Sequence, residues 1–130
     1  MSKLAFEAPI IPITPASDLT LRRGCFIGTT LDIVANYITV LPLGCIVDGS
    51  PITGKTSVAV APIGILKVKL SAAPGAVVLG SILALDSATP GAVKLSPGSG
   101  TARVEVARAL EAGAANELID AVLIHPAAGV

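Results

Sequence analysis

Hydrophobic and polar positions alternate in short runs, and glycine or proline breaks each run. ILKVKL puts Ile65, Lys67 and Lys69 on one side and Leu66, Val68 and Leu70 on the other. That two-residue period predicts a half-buried strand over 65–70, with a wet face carrying the lysines. Val58 and Val60 alternate in the same way and predict a strand over 57–61. Runs rich in Ile, Val, Thr, Phe and Tyr predict strands over 24–30 and 33–41, with a short apolar one over 44–47. Further strands are expected over 77–85, broken by Gly80 and Ser81, and over 92–95.

The last third is mixed. VEVARALEAGAANELIDAVL holds many good helix formers, but Arg103, Glu105 and Val104, Val106 alternate like a strand. Gly113 at mid-helix would cost about 1 kcal/mol relative to Ala. The reading is a strand over 102–109, a loop or short helical turn over 110–118, and a strand over 120–125. Turn residues recur about every 8 to 12 positions, the spacing of an all-β sandwich or barrel.

Residues 1–23 follow another rule. Prolines stand at 9, 12 and 15 in APIIPITPASDLTLRR. This spacing forbids a regular helix and favours an extended backbone. Ile10, Ile11 and Ile13 make the stretch apolar, so it is expected to lie along something: its own body or a neighbour. The expected organisation is a proline-rich arm over 1–23 and a compact β-barrel or β-sandwich body over 24–130.

Composition narrows the function. The chain of 130 residues has a formal net charge of zero, and 14% of its residues are charged. Nucleic-acid binding draws most of its affinity from basic patches, so no nucleic-acid partner is expected. Phe6, Phe26 and Tyr37 are the three aromatics, too few for a base-stacking platform. The mean hydropathy of +0.81 is high. The longest internal run without charge, residues 70–85, contains Pro74, Gly75 and Gly80. A spanning helix needs about 20 apolar residues, so the reading is no membrane helix but an oligomer that hides apolar surface between subunits. MSKLAFEAP lacks the apolar core of a secretory signal.

One stretch matches a nucleotide motif. GSPITGKT, residues 49–56, fits the P-loop pattern G-x-x-x-x-G-K-[ST]. A P-loop runs straight into a helix whose first N–H groups hold the phosphates. Here SVAVAPIG follows, its valines alternate like a strand, and Pro62 would break a helix in its second turn. Asp86 after SILAL matches the magnesium-binding Asp of such proteins only loosely. The octet therefore reads as a turn-rich loop with Lys55 solvated, and no cofactor is expected.

Other chemistry is sparse. Cys25 and Cys45 sit in apolar runs and read as buried thiols. With one histidine, His125, the pair makes no zinc site. Glu111, Glu117 and Asp120 read as loop carboxylates, and no calcium-loop pattern occurs. No enzyme is expected.

The order of features from 24 to 125 resembles the capsid decoration (head cement) proteins of tailed bacteriophages. The likeness lies in LGCIVDG, then GKTSVAVAPIGILKVKLSA, then GSILALDSATPGAVKLS, then VEVARALEAGAANELIDAVLI. The family's usual acidic residue after glycine is Ser81 here. The resemblance implies a β-body assembling as a homotrimer on the outer surface of a virion, put together in the host cytoplasm. Its partner would be the major capsid protein, whose contacts it stabilises. In similar proteins an N-terminal arm often touches the capsid, which makes Pro9, Ile10, Ile11, Pro12 and Ile13 the expected contact residues. The alternative is another oligomeric β-module of a virion, such as a fibre, tail or ligand-binding domain.

Overall fold

The computed structural model describes residues 10–19, 21–35, 38–49 and 58–130. Among them there is no helix; nine strands form two antiparallel sheets. The first sheet has the order β1-β4-β3-β2, from β1 (Ile11–Ile13), β2 (Phe26–Ile27), β3 (Gly44–Gly49) and β4 (Val58–Ala61). The second has the order β5-β9-β8-β6-β7, from β5 (Ile65–Lys69), β6 (Ile82–Leu85), β7 (Val93–Leu95), β8 (Arg103–Ala109) and β9 (Leu118–Gly129). The sheets do not close into a barrel.

The β5 alternation is realised. Leu66 and Val68 point inward and are buried, while Lys67 and Lys69 stay half exposed. The main core takes Phe26, Cys45 and Ala61 from the first sheet and Val68, Leu83, Leu85, Val104 and Ile119 from the second. Each large side chain buried there contributes about 1.5–3 kcal/mol. A smaller core lies on the other face of the first sheet. Leu19, Ile27, Ile46 and Val60 form it, and Ile13 and Ile33 pack against its side. The first sheet is thus apolar on both faces.

Several boundaries differ from expectation for local reasons. The strand expected over 24–30 shrinks to Phe26–Ile27, because the Leu31 N–H turns back to the Gly28 carbonyl at 3.0 Å. Within 33–41, the described residues hold a single bridge, Ile33 to Ile27, rather than a strand. Asp32 Oδ1 accepts from Ser17 Oγ and from the Ile33 N–H, both at 2.8 Å, which ties this segment as a loop. The strand expected over 77–85 starts only at Ile82. A turn precedes it, with Gly80 at φ +91° and Ser81 Oγ taking the Val78 N–H at 3.0 Å. At the other end β9 runs past residue 125 to Gly129.

Three irregularities in register bend the sheets, one of them at Val106 where β8 pairs with β6. Val47 is the extra residue of β3 where its pairing with β4 shifts. Between the pairs Ala107↔Leu123 and Glu105↔Ala127, β8 supplies only Val106 while β9 supplies Ile124, His125 and Pro126. A proline inside a strand belongs at such a bulge, where the ladder needs no N–H from it.

Candidate functional site

The sequence-predicted contact residues are not all available. Pro9 lies outside the described residues. Ile10, Ile11 and Pro12 are exposed, with Ile10 at 56% and Ile11 at 47%. Ile13 is half-buried against the smaller core. The register Ile11↔Val60, Pro12↔Ala59, Ile13↔Val58 makes the segment an edge strand on its own chain. Of the two placements open for the arm, residues 11–13 adopt the first: they lie along their own body. Ile10, Ile11 and Pro12 remain the part that a partner can reach.

An apolar groove opens where the β9 bulge faces the first sheet. Its volume is about 290 Å³. Phe26 and Val106 lie buried beside it, and Leu43, Ile63 and His125 are its exposed members. Pro126 lines it too, and no Asp, Glu, Lys or Arg does. The sequence carried one weak signal for this groove, the IHP triplet at the end of an apolar run. A proline there demanded a bulge or an edge.

The acidic and basic side chains are largely tied into structure. Ser71 Oγ donates to Asp86 Oδ2 at 2.6 Å and accepts from the Ala73 N–H at 3.2 Å. Lys94 Nζ stands 3.4 Å from Asp86 Oδ1. Burial alone would raise the Asp86 carboxyl. The Ser71 hydroxyl, the Ala88 N–H and the Lys94 charge outweigh it and hold the group below the usual carboxylate range. The trio has the residue types of a nucleophilic site, but Ser71 is fully buried. Asp86 anchors the end of β6 to the segment after β5.

Glu105 accepts from Ser96 Oγ at 2.6 Å and Arg103 Nε at 3.0 Å, and these two bonds lower its carboxyl. Lys67 bridges Asp120 at 3.0 Å and Glu111 at 3.4 Å. Asp120 first, then Glu111, holds its ammonium above the usual lysine value. Glu117 caps the Ala114 N–H at 2.6 Å. Glu111 and Asp120 thus meet at Lys67, while Glu117 serves its own loop. Among the described residues no group of three His, Cys, Asp or Glu could hold a metal.

Cys25 and Cys45 are both buried and free. Burial pushes both thiols up, although Arg22 and Lys69 partly offset this at Cys25. The P-loop-like octet falls outside the described residues except for Gly49. Its flanks are described: Gly49 ends β3 and pairs with Val58 at the start of β4. A strand therefore follows where nucleotide binding needs a helix. No helix among the described residues is long and apolar enough to cross a membrane.

A scan of protein-family models gives no match to this chain, and a search of curated proteins finds none either.

Proposed function

We propose that this chain is a capsid decoration protein of a tailed bacteriophage, binding the outer surface of the head as a homotrimer. The resemblance over 24–125 supports this reading. The observation that carries it is the uncharged edge strand β1, which with the preceding Ile10 presents Ile11 and Pro12 to solvent at the side of the first sheet. An exposed apolar edge of this kind suits a partner that is itself extended, since backbone pairing supplies affinity and side chains supply fit. Clamping neighbouring major capsid proteins requires many weak contacts and no bond-making. Zero net charge and an apolar excess suit that work. The protein acts as a structural component of the virion rather than as an enzyme, and it needs no cofactor.

The test mixes the purified protein with expanded capsids that lack decoration and counts bound copies by electron cryo-microscopy. Saturable binding in threefold clusters is expected, and Ile11→Asp is expected to weaken it at least tenfold. A protein that stays monomeric and ignores such capsids overturns the proposal.

A further inference from the structure

One corner of the molecule carries charge that the fold does not use. The chain turns twice before β2. The Arg22 N–H bonds the Leu19 carbonyl, and the Cys25 N–H bonds the Arg22 carbonyl, both at 3.1 Å. Leu19 and Cys25 are buried, while Leu21, Arg22 and Arg23 between them are exposed. Leu21 is 94% exposed, more than any other large apolar side chain among the described residues.

This turn is pinned on two sides. The Gly24 N–H bonds the Ile46 carbonyl of β3 at 2.8 Å, and the Gly24 carbonyl accepts the Lys69 N–H of β5 at 2.9 Å. Lys69 therefore stands beside the two arginines, half exposed on the wet face of β5. The charges of Arg22 and Lys69 both reach one buried group, the Cys25 thiol. Arg23 Nε donates to the Val47 carbonyl at 3.1 Å, which fixes the guanidinium and leaves its terminal nitrogens for another acceptor. Leu118, the register partner of Lys69, lies against Gly24, where an added Cβ would strike its Cδ2.

Elsewhere the cations have partners: Lys67, Lys94 and Arg103 each meet a carboxylate. Among the described residues no carboxylate pairs with Arg22, Arg23 or Lys69. The whole chain is neutral, so the corner is a local excess of positive charge rather than a sign of a basic protein. Gathered cations repel one another, and an acidic partner relieves that repulsion. Guanidinium forks fit carboxylates and phosphates alike. The apolar members decide between them: Leu21 and Leu118 offer contact area that a phosphate chain cannot use. Phe26, the one described aromatic, is buried and stacks no base. Arginine beside an apolar anchor is the make-up of a protein–protein contact.

We propose that the turn over 21–23, with Lys69 and Leu118, is a docking face for an acidic segment of another protein, whose carboxylates meet Arg22 and Arg23 while an apolar side chain sets against Leu21. The inference is independent of the capsid reading, which is carried by β1.

The test measures fluorescence anisotropy of a dye-labelled peptide of glutamates and leucines added to the full chain at low salt, with a glutamine-for-glutamate peptide as the control. The glutamate peptide is expected to bind about tenfold or more tightly than its control, and to weaken as salt is raised. Arg22→Glu is expected to weaken it about tenfold. Arg108→Glu, which reverses an exposed charge on β8, is expected to leave it within about twofold. Leu21→Ser is expected to weaken it about threefold or more, and it decides the matter should Arg22→Glu fail to fold, because the leucine is almost wholly in solvent. Equal binding of the two peptides, or of neither, overturns the proposal. So does a loss in Arg108→Glu as large as that in Arg22→Glu. Displacement of the peptide by tripolyphosphate together with unchanged binding by Leu21→Ser would show a bare anion site and overturn it as well.

Discussion

Ser71 Oγ and Asp86 Oδ2 lie 2.6 Å apart, and both residues are buried. The pair ties the end of β5 to the end of β6, with Lys94 of β7 closing the third side at 3.4 Å. Removing the carboxylate leaves the Ser71 hydroxyl and the Ala88 N–H without an acceptor. Asp86→Ala is therefore expected to lower unfolding stability at neutral pH by about 1–3 kcal/mol. The folded-state carboxyl is held below its ordinary value. Its contribution is thus complete above the unfolded carboxylate value of about 3.9 and is lost as pH falls through the lower folded value. Urea titrations of wild type and variant should differ at neutral pH and converge in acid.

Gly24 is expected to tolerate no side chain. Its φ is +82°, and an added Cβ would meet the Lys69 amide nitrogen at 2.7 Å. The glycine is the point where the first sheet touches the β5 edge. Gly24→Ala combines left-handed strain with a backbone clash and is expected to cost about 2–4 kcal/mol. A thermal melt that leaves the midpoint unmoved would show that the two segments can separate.

Ile13 and Ile10 are expected to answer differently to the same change. Ile13→Ala removes a half-buried side chain from the smaller core and should cost about 1–2 kcal/mol. Ile10→Ala, at 56% exposure, should leave stability within about 0.5 kcal/mol. Denaturant midpoints of the two variants measure the contrast. Equal losses would mean that the whole stretch belongs to the core.

Cys25 and Cys45 are expected to resist thiol reagents in the native protein. Both are buried, and burial raises both thiols, so little thiolate is present at neutral pH. Ellman's reagent should report no fast-reacting thiol until denaturant is added, and then two. A fast native reaction at either would place it at the surface.

The sequence revealed most of the strands because each one faces a core, on one side in the second sheet and on both sides in the first. β5, with lysines alternating against Leu66 and Val68, is the clearest case. The prolines at 9, 12 and 15 likewise foretold an extended stretch, realised where residues 11–13 are described. What sequence could not reveal was decided across long separations. Phe26 and Ile27 look like the middle of a longer strand, but the carbonyls of Gly91 and Asp32 and the carboxylate of Asp32 claim the backbone around them. The groove depends on three residues of β9 facing one of β8, a register that no local pattern sets. Ser71 and Asp86 are fifteen positions apart and look like unrelated loop residues until β5 and β6 are placed.

The position of β9 in the second sheet sets an order of events during synthesis. All four strands of the first sheet lie within the first 61 residues. In the second sheet β5 pairs, among the described residues, with β9 alone, and the two are separated by about fifty residues of chain. Pairings so distant in sequence close slowly, because the intervening loop must lose its freedom first. As the chain leaves the ribosome, the backbone of β5 must wait for β9 to emerge. Until then β5 lacks its ladder partner, which makes that interval the one in which nascent chains would most readily pair with one another.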